Sequence, residues 1–190
     1  MYKSLPLFTS YTTTAEVLPD RGAQEIVETL DELNIRLRER SEEFVIIGGA
    51  NLVLRGIRRA TVDIDMLVSE GAFNAMAELD GAKIKLPPKR ALANGATNTS
   101  VWLNVDWTKV PVSGATEMGD GYYPISYSAY ADQDLELFGG HACAPLDDVW
   151  GSKVALQRPK DIPDLQLIAM TTGRSTQLPA PIYRGPFLDS

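Results

Sequence analysis

Apolar positions along the chain change their period several times, and each change marks an element. Between about Arg21 and Arg40, Ile26, Leu30, Leu33 and Leu37 recur at helical spacing, with acids early and arginines late. That predicts an amphipathic helix whose charges suit its dipole. Phe44–Ile47 is wholly apolar and mostly β-branched, the pattern of a buried strand. Gly48-Gly49 ends it, and Ala50–Ile57 reads as a short helix. Thr61–Ser69 then alternates, with Val62, Ile64, Met66 and Val68 on one face and Asp63 and Asp65 on the other. Ala72–Leu79 reads as a second short helix.

Lys83–Ser100 contains Pro87-Pro88 and the run ANGATNTS and reads as loop. Val101–Thr108 alternates again: Val101, Leu103, Val105 and Trp107 face one way, Trp102, Asn104 and Asp106 the other. The stretch 111–124 has no clear period. Ile125–Tyr130 and Leu135–Phe138 read as strands, and Gly139-Gly140 turns the second into a short strand near Ala142. Pro145–Gln157 and Ile162–Met170 read as helices separated by Pro159. The expected organisation is an N-terminal arm over residues 1–20, one α/β domain over 21–170, and an extended, polar, proline-containing tail over 171–190. There is no internal repeat.

Composition adjusts this picture only modestly. At 190 residues with 44% hydrophobic and 23% charged positions, the chain has enough apolar surface for a real core. No apolar run approaches a membrane span. The opening MYKSLPLFTSYTTTAEVL makes a poor secretory signal, so a cytoplasmic location is expected. Cys143 and His141 are each the single residue of their type. An internal disulfide, a cysteine zinc site and a multi-histidine site within the chain are therefore not expected, and any metal must be held by oxygen, which favours magnesium or manganese. The net charge of −7 argues against a grip on long nucleic acid, and no DNA partner is expected.

The segment FVIIGGANLVLRGIRRATVDIDMLV concentrates the chemistry. Carboxylates at i and i+2 on a strand point the same way and repel unless a cation lies between them. Mg²⁺ resolves that repulsion and commonly bridges carboxylates to phosphates. A third carboxylate from a neighbouring strand would complete a two-metal site, and Asp106 has the right alternation to supply it. Gly48-Gly49 lets the backbone turn from strand to helix, where unpaired N–H groups favour an anion. A phosphate cradle beside a carboxylate pair suits a metal-bound nucleoside triphosphate.

IGGANLVLRGIRRATVDIDMLV resembles the signature of the nucleotidyltransferase superfamily: Gly-Gly, a short helix, then Asp-apolar-Asp-apolar. The form Arg59-x-Thr61-x-Asp63-x-Asp65 is most similar to a branch of minimal nucleotidyltransferases that includes the AbiEii-type toxins. DDVWGSKVALQRPKDIPDLQLI resembles that branch's helical segment through Lys153, Ala155-Leu156, Arg158, Lys160-Asp161 and Asp164-Leu165. The resemblance implies a mixed, twisted sheet flanked by helices and a magnesium- or manganese-dependent transfer of a nucleoside monophosphate, with pyrophosphate released. ATP is one nucleotide it admits. It implies Asp63, Asp65 and Asp106 as metal ligands, and Gly48, Gly49, Arg59, Lys153 and Asp161 as nucleotide contacts, with Lys153 on the triphosphate. The acceptor is left open among a small molecule, tRNA and protein. The alternative is a non-catalytic nucleotide- or partner-binding module of the same fold.

Overall fold

Four consecutive side chains, Phe44 to Ile47, are buried on both faces of a short strand, and the rest of the fold is arranged about it. The computed structural model of the chain describes residues 18–37, 44–87, 98–118 and 123–180. In chain order the elements are α1 (Leu18–Leu37), β1 (Phe44–Ile47), α2 (Gly48–Leu54), β2 (Ile64–Val68), α3 (Glu70–Ala77), β3 (Lys83–Lys85), β4 (Ser100–Leu103) and β5 (Val112–Ala115). They continue with β6 (Glu117–Met118), β7 (Ile125–Ser126), a 3-10 turn (Tyr127–Ala129), β8 (Leu137–Phe138), β9 (His141–Ala142), α4 (Leu146–Leu156) and α5 (Ile162–Thr172). The expected arm (1–20) lies outside the described residues except where α1 reaches into it, while the first half of the expected tail (171–190) is described: α5 runs to Thr172, and residues 173–180 form neither helix nor strand. No described helix is long and apolar enough to cross a membrane.

The architecture is a mixed α/β fold, with a sheet ordered β1-β2-β5-β4-β3 and flanked by helices. β1 runs antiparallel to β2, β2 parallel to β5, and β5 antiparallel to β4. One face carries Phe44, Ile46, Ile64, Met66, Val68, Val101, Leu103 and Val112, packed against α1, α2 and α3 in the main core. The opposite face carries Val45, Ile47 and Leu67, covered by Tyr130 and Ala144. Asp65 has the parity of this second face. Leu52 of α2 and Ile57 meet Val149 and Ile168, which fixes the α4–α5 pair beside the β1–α2 junction.

Several elements differ from the sequence reading. β2 begins at Ile64, so Asp63 sits in the bend before it, and Val62 is exposed. Lys83–Lys85, expected as loop, is the edge strand β3. Val112–Ala115, in a stretch expected to be irregular, is a central strand. Its Gly114 is required by packing, because a Cβ there would stand 2.9 Å from the Met76 methyl. Of the strand expected over Ile125–Tyr130 only Ile125–Ser126 forms, and Tyr127 opens a 3-10 turn.

β4 stops at Leu103 instead of running to Thr108. The Thr108 hydroxyl donates to the Val105 carbonyl at 2.7 Å and accepts from the Val105 N–H at 3.0 Å. These local bonds close a turn that competes with the sheet ladder. Asp106 lies in that turn, exposed to solvent.

Asn51, fully buried on α2, joins β1 to the chain after β9. Its Nδ2 donates to the Ile46 and Ala144 carbonyls, each at 2.9 Å, and its Oδ1 accepts from Arg55 Nε at 2.8 Å. Asn51→Ala deletes all three bonds in a dry site. A loss of about 2–3 kcal/mol is expected in urea unfolding, and a variant with wild-type stability would remove Asn51 as the tie.

Candidate functional site

At the C-terminal end of β1 the chain turns abruptly. Ile47 pairs with Asp65, and the next residue, Gly48, adopts a φ of 62° and starts α2. A Cβ on Gly48 would stand 3.1 Å from Asp65 Oδ2. A Cβ on Gly49 would stand 2.7 Å from Thr61 Oγ1 and 3.2 Å from Arg58 Nη1. The two glycines therefore let backbone, carboxylate, hydroxyl and guanidinium crowd into one corner, which no larger residue permits. Asp63 lines the same cleft from the bend before β2, and Ser113, paired with Asp65 in the sheet, forms part of its floor.

Burial raises the Asp65 pKa to about 6, with the charge of Asp63 adding to the rise against the opposing charges of Lys160, Lys153 and Arg158. The rise is chiefly the cost of charging a buried carboxyl, increased by the like charge beside it.

The facing wall comes from α4 and α5. Lys153 Nζ, buried within it, donates to Asp164 Oδ2 at 2.8 Å and to Asp161 Oδ1 at 3.4 Å. Arg158 grips Asp161 through Nε at 2.6 Å and Nη2 at 3.1 Å, and its backbone N–H adds a third bond at 3.2 Å. Arg58 Nη1 reaches Asp164 Oδ2 at 3.2 Å from the far side of the cleft. Gln157 makes this possible by closing α4 in the left-handed region at φ 46°, so that Arg158 and Lys160 precede α5 and both line the cleft. Burial works to raise the Asp161 pKa but is outweighed by the hydrogen bonds and charge of Arg158 and the charge of Lys153, so the carboxyl is held below its ordinary value. The network has three cations on two buried acids, and Lys160 stands beside it. Its surplus is positive and faces the Asp63–Asp65 pair across a cleft of about 440 Å³, within the range of small-ligand sites.

Of the residues singled out from sequence, Gly48, Gly49, Asp63, Asp65, Lys153 and Asp161 all line this cleft. Asp106 and Arg59 do not. Asp106 is carried away by the Val105–Thr108 turn, and Arg59 is exposed while its neighbour Arg58 turns inward. Among the described residues no group of three or more His, Cys, Asp or Glu side chains is placed to hold a metal. The sequence reading undervalued Arg58, Arg158, Lys160 and Asp164. The match of Lys153 and Asp164-Leu165 to the resembled helical segment was the available signal for Asp164, because an acid in a helix's first turn is ordinarily solvated.

No family model matches the chain, and no curated protein does. One solved structure, "Crystal structure of JHP933 from Helicobacter pylori", is similar at a TM-score of 0.45 and 15% identity, over 83% of this chain and 68% of that one. A likeness at that level assigns neither family nor activity.

Proposed function

We propose that this chain is a nucleotidyltransferase-like protein that moves a nucleoside monophosphate from a nucleoside triphosphate to an acceptor, releasing pyrophosphate, in the presence of Mg²⁺ or Mn²⁺. The observation that carries the reading is one cleft lined by a Gly-Gly turn, a strained carboxylate pair and a cationic cluster. Each suits a different part of a metal-bound triphosphate. The fit of a divalent cation rests on Asp63 and Asp65 lining the same cleft, where the like charge of Asp63 adds to the burial that raises Asp65, a repulsion that a cation would relieve. With only two carboxylates at that point, the remaining oxygen ligands would come from substrate phosphates and water, as Mg²⁺ commonly accepts.

Bound there, the cation would reduce the charge cost of attack at the α-phosphorus. The protein's own groups do the rest. The N–H groups beside Gly48 and Gly49 approach phosphate closely. Lys153, Arg58 and Arg158 exchange part of their contact with Asp161 and Asp164 for phosphate oxygens and stabilise the charge that builds on pyrophosphate. The acceptor, whether a small molecule, tRNA or protein, enters from the open side.

The test is incubation with Mg²⁺, a panel of acceptors and NTP labelled separately at the α and γ positions. Transfer of the α-label with release of pyrophosphate is expected. Release of γ-label as phosphate without pyrophosphate would reassign every role above. A second reading, a nucleotide-binding module without turnover, is favoured by the position of Asp106 outside the cleft and by the acids already holding Lys153. Saturable Mg-NTP binding with no transfer to any acceptor would select it.

A further inference from the structure

The cleft extends along α4 beyond the cationic cluster, and its character changes. Asp148, Ser152 and Leu156 line it at helical spacing, so Asp148 stands about 7.5 Å along the axis from Lys153. Around Asp148 the lining becomes apolar, with Met118, Ile125 and Val149, and Tyr123 closes it. Tyr123 is seated with care. A Cβ on Gly151 would stand 2.5 Å from its hydroxyl oxygen and 2.7 Å from Cζ. Glycine inside α4 costs roughly 1 kcal/mol relative to alanine, and the seat for this ring is what the helix gains in exchange. The hydroxyl is hydrogen-bonded to Asp148, whose Oδ2 also accepts from Tyr130 at 2.8 Å. A carboxylate has about four acceptor positions, so Asp148 keeps capacity for a further donor.

We infer that this end of the cleft is a nucleobase subsite, in which Tyr123 and its apolar neighbours bury the base and Asp148 accepts hydrogen bonds from an exocyclic amino group. The inference rests on the triphosphate reading of the other end. It follows from the order of charges along α4. A carboxylate repels phosphate and accepts only from donors, whereas the Lys153 end attracts phosphate, so a nucleotide has one favourable direction in the cleft. A polar group built to accept a donor rejects a ligand that presents an oxygen there, because both acceptors are left unpaired. The subsite therefore selects amino-bearing bases over their oxo counterparts.

Equilibrium binding with Mg²⁺ and a set of probes tests this: tripolyphosphate, ATP, inosine triphosphate, CTP and UTP. Wild type is expected to bind ATP about tenfold tighter than inosine triphosphate, CTP about tenfold tighter than UTP, and all four tighter than tripolyphosphate. Tyr123→Ala should bring ATP down to the tripolyphosphate level and leave tripolyphosphate unchanged. Asp148→Asn, which introduces a donor, should erase or invert the amino preference. Gly151→Ala should reproduce the Tyr123→Ala loss without lowering helix stability. Tyr130→Phe controls for structure, since it removes the same bond to Asp148 from a residue outside the cleft lining, and it should leave the preference intact. Equal binding of amino and oxo bases to wild type, or loss of the preference in Tyr130→Phe as well, overturns the subsite. Failure of tripolyphosphate and every nucleotide to bind would instead overturn the triphosphate reading beneath it.

Discussion

Asp65→Asn protein, freed of divalent cations, is expected to melt higher than wild type at pH 7 and, on the proposed transferase reading, to transfer no nucleotide. The stability gain follows from the direction of the Asp65 shift. Burial, with the charge of Asp63 beside it, pushes its carboxyl up to about 6 in the fold, above the ordinary carboxylate value of 3.8. A raised acid binds its proton more tightly when folded, so wild-type stability falls as pH rises from about 4 to about 6, and the penalty persists above that. A rise of this size corresponds to an upper bound of about 3 kcal/mol, and relaxation of the site will leave roughly 1–2 kcal/mol of it. The asparagine variant carries no such penalty. The two proteins should therefore converge near pH 4 and separate towards pH 7. Asp161 moves the opposite way: held below its ordinary pKa, it contributes stability above the unfolded-state value that is lost on acidification. It does so in both proteins and cancels from their difference. Mg²⁺ with nucleotide should raise the melting temperature of wild type and leave Asp65→Asn nearly unmoved. Thermal melts across pH, with and without Mg-NTP, measure both effects. Equal melting temperatures at pH 7 would falsify the strained pair, and equal ligand-induced shifts would remove Asp65 from the metal.

These expectations stand on parts of the chain that differ in how openly the sequence declares them. The spacing of Ile26, Leu30 and Leu33 and the unbroken run Phe44–Ile47 announce α1 and β1, because burial of a face leaves a period and burial of both faces leaves a run. Gly48-Gly49 and the Asp63–Asp65 pair are legible for a related reason: a positive φ against a carboxylate, and two acids brought to one cleft, each demand particular residue types, although Asp63 lies in the bend before β2 and not on the strand. β5 was hidden. Ser113 and Gly114 have low strand propensity, and what makes Val112–Ala115 a strand is its place between β2 and β4, where Met76 fills the space that a side chain would take.

The site failed to declare itself where two neighbours competed for one role. Alternation through Val101–Thr108 gave Asp106 the correct phase, but phase holds only while the strand continues, and Thr108 ends it with two bonds to Val105. Arg58 and Arg59 are equal in sequence. After α2 ends at Leu54 no period says which of them turns inward; in the fold Arg58 reaches Asp164 while Arg59 stays exposed. Burial of Asp164 was likewise invisible, since an acid in the first turn of a helix is ordinarily solvated.

Lys153→Met should be the most destabilising single change in the cleft and should separate the structural from the functional use of this lysine. The Lys153 side chain is 9% exposed and Asp164 5%. Taking away the cation leaves two buried carboxylates short of a partner, which in comparable settings costs about 3–5 kcal/mol. Here Arg158 still holds Asp161 and Arg58 still reaches Asp164, so the loss should fall near the lower bound, about 3 kcal/mol. Asp164→Asn in the Lys153→Met background removes the stranded charge and should recover part of that stability. The double-mutant cycle is then expected to give a coupling of at least about 1 kcal/mol. Recovery of the fold should not restore function. On the proposed triphosphate reading, with Lys153 gone the cleft lacks the cation that would meet the phosphates beside the two acids, so Mg-NTP binding should stay weak in the double variant although it is folded. Chemical denaturation and nucleotide titration of the four proteins of the cycle supply both readouts. If the double variant binds Mg-NTP as tightly as wild type, Lys153 serves only to neutralise Asp161 and Asp164, and the charge on the triphosphate must be met by Arg58, Arg158 and Lys160 alone.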